Sequence, residues 1–334
     1  MKKTVGVVIG RFQSGKPHAG HMHLLGVAAS QVDRLLVLVG SANQCRSIKN
    51  PWTYSERVQA LIVAMRNSKI DLSRVEFAPL NDYRYSDGQW LTDVRMTIGS
   101  LAKPDEKVIL FGHYKIGNDY LNWFPEFEFR SVESSHAIDA TTIRNKLFAE
   151  RDRSVPETVL GDYLFYEREK VAFAKYPYPD TLNFNCGDAI LECNGHILLI
   201  ERKFAPGAGT MALPGGFKNR DETFLDCAIR ELNEETNVRV PEKVLRGSIV
   251  GTRLFDDPTR CMGIPRSTLA VHIRIQPDKD GSLPRANGRD DAASCRWVPL
   301  SEALNSIAMF DDHKDIISVM TGVVQEPAYK SQVC

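Results

Sequence analysis

Short apolar runs alternate with amphipathic stretches through the first half of the chain. Residues 4–9, 35–39, 74–77, 107–111 and 127–132 are β-branched or aromatic runs of strand length. Between them, helical spacing covers 21 to about 30, 90–98, and a segment opened by Asn50-Pro51-Trp52-Thr53-Tyr54-Ser55-Glu56-Arg57 that runs to about 65. Asp139-Ala140-Thr141-Thr142 starts a further helix with cap-type residues, and Arg144 follows one turn in. Strands and helices alternating at this length predict a doubly wound parallel sheet, whose ligands bind at the carboxyl ends of its strands.

Beyond residue 150 the pattern changes. Residues 155–173 read as mostly helical, and Lys175-Tyr176-Pro177-Tyr178-Pro179-Asp180 reads as a linker because its two prolines favour an extended chain. Residues 188–192 and 196–201 flank Asn194-Gly195 and predict a hairpin. From 223 to 236 no Pro or Gly interrupts a helix whose apolar stripe is Leu225, Ile229 and Leu232. The expected organisation is a domain over 1–174, a linker at 175–182, and a second domain over 183–334.

A length of 334 residues suits two cores better than one. Basic and acidic residues number 42 each, so no basic excess points to nucleic acid. The apolar run after Met1-Lys2-Lys3 imitates a signal peptide, but Arg11 ends it too early for export or for a membrane span. Seven Cys form no CxxC pair and leave an odd one, which fits a reduced, cytoplasmic protein. Oligomeric state is left open, with a homodimer allowed.

The strongest chemistry lies in LPGGFKNRDETFLDCAIRELNEETNV, residues 213–238. Glu231, Glu234 and Glu235 are spaced i, i+3 and i+4, which puts three carboxylates on one flank of the helix. Such a patch repels itself; it is either a solvated face or a site for a hard divalent cation. The whole stretch resembles the Nudix box, matching Gly216, Glu222, Arg230, Glu231, Glu234 and Glu235 and departing at Asn237, where the family has Gly. Asn tolerates the left-handed conformation of a helix C-cap, so the departure is mild. The resemblance implies an α/β/α domain with a mixed sheet that hydrolyses a nucleoside diphosphate linked to another group. It assigns Glu231, Glu235, supporting Glu234 and the Gly216 carbonyl to Mg²⁺ or Mn²⁺, and leaves Glu222 with Arg230 as a structural ion pair. Arg202 and Lys203 read either as solvated charge or as contacts to the diphosphate. Asp290 or Asp291 is the candidate general base, against an ordinary turn.

In the first half, GRFQSGKPHAGH follows the first apolar run. Gly10, Gly15 and Lys16 have P-loop spacing, but Pro17 stands where a metal-binding hydroxyl is needed. The other reading takes His18 and His21 at a helix start, with Gly20 between them, as holders of a triphosphate. Gly10-Arg11-Phe12, His18, Gly20, His21, Ile138, Thr141 and Arg144 resemble the nucleotidylyltransferase superfamily, and within it nicotinamide mononucleotide adenylyltransferases. The loop before His18 is two residues longer than the family's, with Lys16 added, and Asp139 replaces a Ser. NPWTYSER, YSDGQW and FGHYK extend the resemblance to bifunctional adenylyltransferase/Nudix enzymes over nearly the whole chain.

That resemblance implies a Rossmann-like domain in which the 5′-phosphate of nicotinamide mononucleotide attacks the α-phosphorus of ATP, giving NAD and pyrophosphate. His18, His21, Thr141 and Arg144 would hold ATP phosphates bridged by Mg²⁺, with Arg11 and Lys16 as weaker candidates. Trp90 would stack on the nicotinamide ring or serve as an ordinary core residue. Phe255-Asp256-Asp257-Pro258 with Arg260 resembles a loop that contacts ADP-ribose, the expected Nudix substrate. Three alternatives stay open: another acceptor such as phosphopantetheine or a flavin nucleotide, an ADP-ribose sensor that does not hydrolyse, and a P-loop kinase.

Overall fold

The computed structural model describes residues 3–113, 123–133 and 140–327. It divides into two compact units, residues 1–156 with 327–334, and 157–326. In the first unit the order is β1 (Thr4–Gly10), α1 (Ala19–Ser30), β2 (Arg34–Val39), α2 (Tyr54–Asn67), β3 (Val75–Pro79), α3 (Asp87–Leu101), β4 (Lys107–Gly112), β5 (Glu128–Ser131) and α4 (Ala140–Ala149). The strands form one parallel sheet in the order β3-β2-β1-β4-β5.

Alternation along the central strands explains their continuous apolar runs. Val8 and Val37 belong to a core shared with Leu24, Leu25, Leu61 and Met65 of α1 and α2. Val7 and Leu36 belong to another, shared with Val94 and Ile98 of α3. Both faces are covered, as a parallel sheet requires. Each such side chain contributes about 1.5–3 kcal/mol on burial. Helix α2 starts later than the expected opening at Asn50, because Thr53 and Glu56 form a capping box.

The second unit begins with α5 (Glu157–Phe173) and continues through β6 (Phe184–Cys193), β7 (His196–Arg202), β8 (Met211–Ala212), β9 (Gly215–Phe217), α6 (Phe224–Thr236), α7 (Glu242–Gly247), β10 (Ile249–Phe255), β11 (Arg266–Ile275), β12 (Ala292–Pro299), α8 (Leu300–Asn305) and α9 (His313–Thr321). The sheet is mixed: β11 runs parallel to β6, while the β10–β11, β6–β7 and β7–β12 pairs are antiparallel. Asn194 and Gly195 turn the hairpin with φ of 47° and 72°. Gly187 lets α6 lie against β6, since an added Cβ would sit 2.8 Å from the Phe224 carbonyl oxygen.

Helix α5 packs within this unit, ahead of the segment expected to be the linker. Glu169 accepts from the Ile264 N–H at 2.9 Å and pairs with Arg266, and Asp162 accepts from the Gly207 N–H at 2.9 Å. Within 175–182 the extended connection is broken by a 3-10 turn at Pro179–Thr181. None of the described helices is long and apolar enough to cross a membrane.

Candidate functional sites

At the end of β1 the chain turns sharply. Phe12 and Gly15 take φ of 52° and 70°, and the Phe12 ring folds over Gly10, where a Cβ would lie 2.8 Å from Cζ. The turn delivers His18 as the N-cap of α1, its Nδ1 accepting from the His21 N–H at 3.4 Å. It is His18 that caps the helix, not the Gly15-Lys16 turn, and this removes the P-loop reading.

The His18 and His21 rings stack with centroids 3.7 Å apart. Burial, then the neighbouring His18 and His113, push the His21 imidazole down to about 3. Its Nδ1 is buried without a hydrogen-bond partner among the described residues. The buried His21 imidazole is thus held in its neutral form.

Arg144 donates from Nη1 to the Gln13 carbonyl at 2.8 Å and from Nη2 to Thr141 Oγ1 at 3.1 Å. The start of α4 is thereby tied to the loop that carries His18. Arg11 donates to Asn50 Oδ1 at 2.6 Å, and Lys16 is exposed. Trp90 packs with the α3 core, its ring 6.0 Å from that of Phe124, so part of its face is used in packing. Ile138 and Asp139 lie outside the described residues.

Arg57 was not foreseen. It is buried and donates from Nη1 to the carbonyls of Arg11 and Gly40, both at 2.6 Å, and from Nη2 to that of Ser41 at 3.2 Å. Burial lowers it to about 10. One side chain thus binds together the carboxyl ends of β1 and β2. Its only sequence signal was its place in NPWTYSER.

In the second unit, the capping box of Thr223 and Asp226 starts α6, and Asn237 ends it at φ 41°. The Asn in place of Gly therefore adopts the conformation the position needs. Arg230 donates from Nε and Nη2 to Glu222 at 2.9 and 2.7 Å, and from Nη1 to Glu231 at 2.7 Å and Glu234 at 2.8 Å. Glu222 is held down to about 2, chiefly by its hydrogen bonds from Arg230. The three carboxylates are not one uncompensated patch, because Arg230 neutralises two of them.

Glu235 differs from both. It is buried and accepts from the Gly215 N–H at 2.9 Å. Burial, with Glu231 and Asp188 nearby, pushes its carboxyl up to about 8; Glu231 is also raised, chiefly by burial. Gly216 lies so close to Glu231 that a Cβ would be 2.4 Å from Oε1. The Gly216 carbonyl meets the Cys227 thiol at 3.6 Å.

Among the described residues no three acidic, His or Cys side chains already converge as a metal cage. The donor set nonetheless fits a divalent cation. It is all oxygen, and Glu231 and Glu235 are carboxylates whose charge the protein opposes and a cation would restore.

A cavity of about 490 Å³ opens over these carboxylates. Arg202, Lys203, Arg260, Asp290 and Asp291 line it, as do Gly216, Glu231, Glu234 and Glu235. Arg202 lies 4.1 Å over the Phe310 ring. Arg260 is already engaged by Asp312, at 3.0 and 2.9 Å, so its charge is not simply available to a ligand. Two parts of the wall escaped the sequence reading: Phe165 and Tyr166 of α5, and Phe310, Asp311 and His313 before and at the start of α9. The first falls within 1–174, which the sequence pattern groups with the other domain. The second carries a positive φ at Asp311 (45°), a strain that sequence does not display.

Fold and sites together define a nucleotidylyltransferase-type unit joined to a Nudix unit. Family models agree: a cytidylyltransferase-like model matches residues 7–145 and a NUDIX domain model residues 187–319. The chain is 32% identical over 144 residues to a nicotinamide/nicotinic acid mononucleotide adenylyltransferase of Acinetobacter baylyi, covering 42% of this chain and 74% of that one. It is 37% identical over 142 residues to a nicotinamide-nucleotide adenylyltransferase of Thermococcus kodakarensis, covering 42% and 71%. The chain belongs to the nicotinamide-nucleotide adenylyltransferase family and carries a Nudix domain behind that unit. Over nearly its whole length it is similar to the crystal structure of a bifunctional NMN adenylyltransferase/ADP ribose pyrophosphatase from Francisella tularensis, with TM-score 0.84, 28% identity, and 96% and 99% of the two chains covered. A second structure of that protein, complexed with AMP and a Mn ion, matches with TM-score 0.83 and the same identity.

Proposed function

We propose that the first unit joins nicotinamide mononucleotide to the adenylyl group of ATP, giving NAD and pyrophosphate, and that the second hydrolyses ADP-ribose to AMP and ribose 5-phosphate. The observation that carries this reading is the presence in one chain of two unlike sites: a stacked imidazole pair on a loop that an arginine ties down, and a cluster of carboxylates, one of them buried, lining a cavity. Similarity to the Francisella protein across 96% of the chain supports assigning both activities.

In the first site the attacking phosphate is already a nucleophile, so the protein positions and neutralises charge. His18 and His21 receive the ATP phosphates, and Arg144, oriented by Gln13 and Thr141, takes the charge on the departing pyrophosphate. In the second site Glu231, Glu235 and the Gly216 carbonyl would hold Mg²⁺ or Mn²⁺, with Glu234 in support. When bound, the cation supplies charge to the phosphoryl oxygens and lowers the pKa of the attacking water. Arg230 keeps Glu231 and Glu234 in place, and the Gly215 N–H orients Glu235. Asp290 and Asp291 are the candidates to accept the water's proton.

Purified protein supplied with nicotinamide mononucleotide, ATP and Mg²⁺ is expected to form NAD. With ADP-ribose it is expected to release AMP and ribose 5-phosphate. His18→Ala abolishes only the first reaction and Glu235→Gln only the second; loss of both from either substitution would refute two independent sites.

A further inference from the structure

The wall at the start of α9 contains a histidine that neither reaction has yet used. His313 is buried, lines the cavity, and through Nδ1 accepts from the Leu213 backbone N–H at 2.9 Å. A backbone N–H can only donate, so this bond excludes a proton on Nδ1. The ring is therefore the neutral tautomer with its proton on Nε2, in line with burial lowering its proton affinity. Nε2 makes no hydrogen bond among the described residues, and it is not among the buried side-chain atoms left without a partner. The ring that carries it lines the cavity.

We infer that His313 is a positioning residue of the hydrolytic site, donating from Nε2–H to an oxygen of the bound nucleoside diphosphate while its Nδ1 fixes the segment leading into β9, which carries Gly215 and Gly216. This inference rests on the hydrolytic reading of the second unit. The ring joins two parts of the site that sequence keeps 100 residues apart. Leu213 stands two residues before Gly215, whose N–H holds Glu235. A ligand oxygen accepting from Nε2 would complete the ring's hydrogen bonding and register the diphosphate against that carboxylate. Having no acceptor on Nε2, His313 is not the general base; it orients, and the proton of the attacking water goes elsewhere.

Two variants separate the halves of this role. In His313→Asn the side-chain oxygen can replace Nδ1 as acceptor, while the Nε2 donor is lost. In His313→Gln the amide nitrogen can replace Nε2 as donor, while the loop loses its acceptor. ¹⁵N NMR of the full-length apo protein tests the tautomer without any substrate: a proton on Nδ1 would overturn the inference whatever the enzyme hydrolyses. The α,β-methylene analogue of ADP-ribose, which cannot be cut, is the probe for the second step. It is expected to shift the Nε2–H signal, and His313→Asn is expected to weaken its binding at least tenfold with an unchanged melting profile. An unmoved Nε2–H signal, or undiminished affinity in His313→Asn, would reduce the ring to a structural support. Failure of wild-type protein to hydrolyse ADP-ribose while the analogue still shifts Nε2–H would overturn the substrate reading and leave His313 as a ligand donor.

Discussion

His21 offers a direct test of the first site. Its imidazole is pushed from the ordinary 6.5 down to about 3, by burial and by the facing His18 and His113. As pH falls through 6.5 the unfolded chain takes up a proton and the folded chain does not, so stability is fully present above about 7.5 and is lost downward toward 3. At pH 5 the gap is 1.5 of the 3.5 units between the two values. At about 1.4 kcal/mol per unit this is a loss of about 2 kcal/mol, an upper bound because local opening to water raises the folded value. His21→Phe keeps a ring of similar size against Phe12 and His18 and removes the titration. Hydrogen exchange of peptides spanning β1 and α1 reads the opening free energy of this unit in the full-length protein. Between pH 7 and pH 5, wild type is expected to lose about 2 kcal/mol more than the variant. Imidazole NMR is expected to show His21 neutral at pH 5, and ATP is expected to raise its proton affinity, because a polyphosphate stabilises the cation. Parallel losses in the two proteins, or a His21 signal titrating near 6.5, would refute the argument.

Glu235 gives the opposite sign. Its carboxyl is raised from 4.5 to about 8, so metal-free stability of the second unit is expected to fall as pH rises from 4.5 to 8, by about 3 kcal/mol at pH 7. Exchange of β6 and α6 peptides should show the fall flattened in Glu235→Gln and reversed by Mg²⁺ or Mn²⁺ only in wild type. Asp312→Ala removes the carboxylate that accepts two hydrogen bonds from the buried Arg260 guanidinium and is expected to cost about 3–5 kcal/mol by the same exchange measurement; a change under 1 kcal/mol would contradict a desolvated pair. Asn237→Gly is expected to be nearly neutral, while Asn237→Val is expected to cost about 1–2 kcal/mol because its φ is 41°. Equal melting temperatures for the two variants would count against that cap.

Much of this architecture was legible because its signals are local. Apolar runs of strand length, bounded by turn residues and alternating with helices, identify the strands and point to a parallel sheet, although such runs leave register open. The box around Glu231 and Glu235 lies within one turn and one helix, so its offsets could be read directly. What escaped depends on long contacts. Arg57 is one arginine in a polar helix start until β1 and β2 bring three carbonyls to it. Helix α5 follows the first domain without a break in pattern, yet Glu169 and Asp162 attach it to residues far downstream. The acidic patch was misjudged for a related reason: helical spacing puts Glu234 and Glu235 on one flank, but burial of one and pairing of the other set them apart.

That separation bears on how the hydrolytic site can be stable without its metal and still bind one. Arg230 pairs with Glu231 and Glu234, which offsets part of the cost of burying Glu231. Among the described residues Glu235 forms no such ion pair, Arg202 acting on it only from a distance; it accepts one backbone N–H and keeps its proton to about pH 8. A divalent cation held by Glu231 and Glu235 at neutral pH would therefore displace a proton from Glu235 and compete with Arg230 for Glu231. These costs of binding come on top of the loss of stability that burying Glu235 imposes on the metal-free fold as pH rises. Metal affinity is accordingly expected to rise with pH up to about 8, and to release close to one proton per site at pH 7. Calorimetry in buffers of different ionisation enthalpy measures that proton directly. Release of none would mean that Glu235 is already ionised in the free protein, and the burial argument for its role would fail.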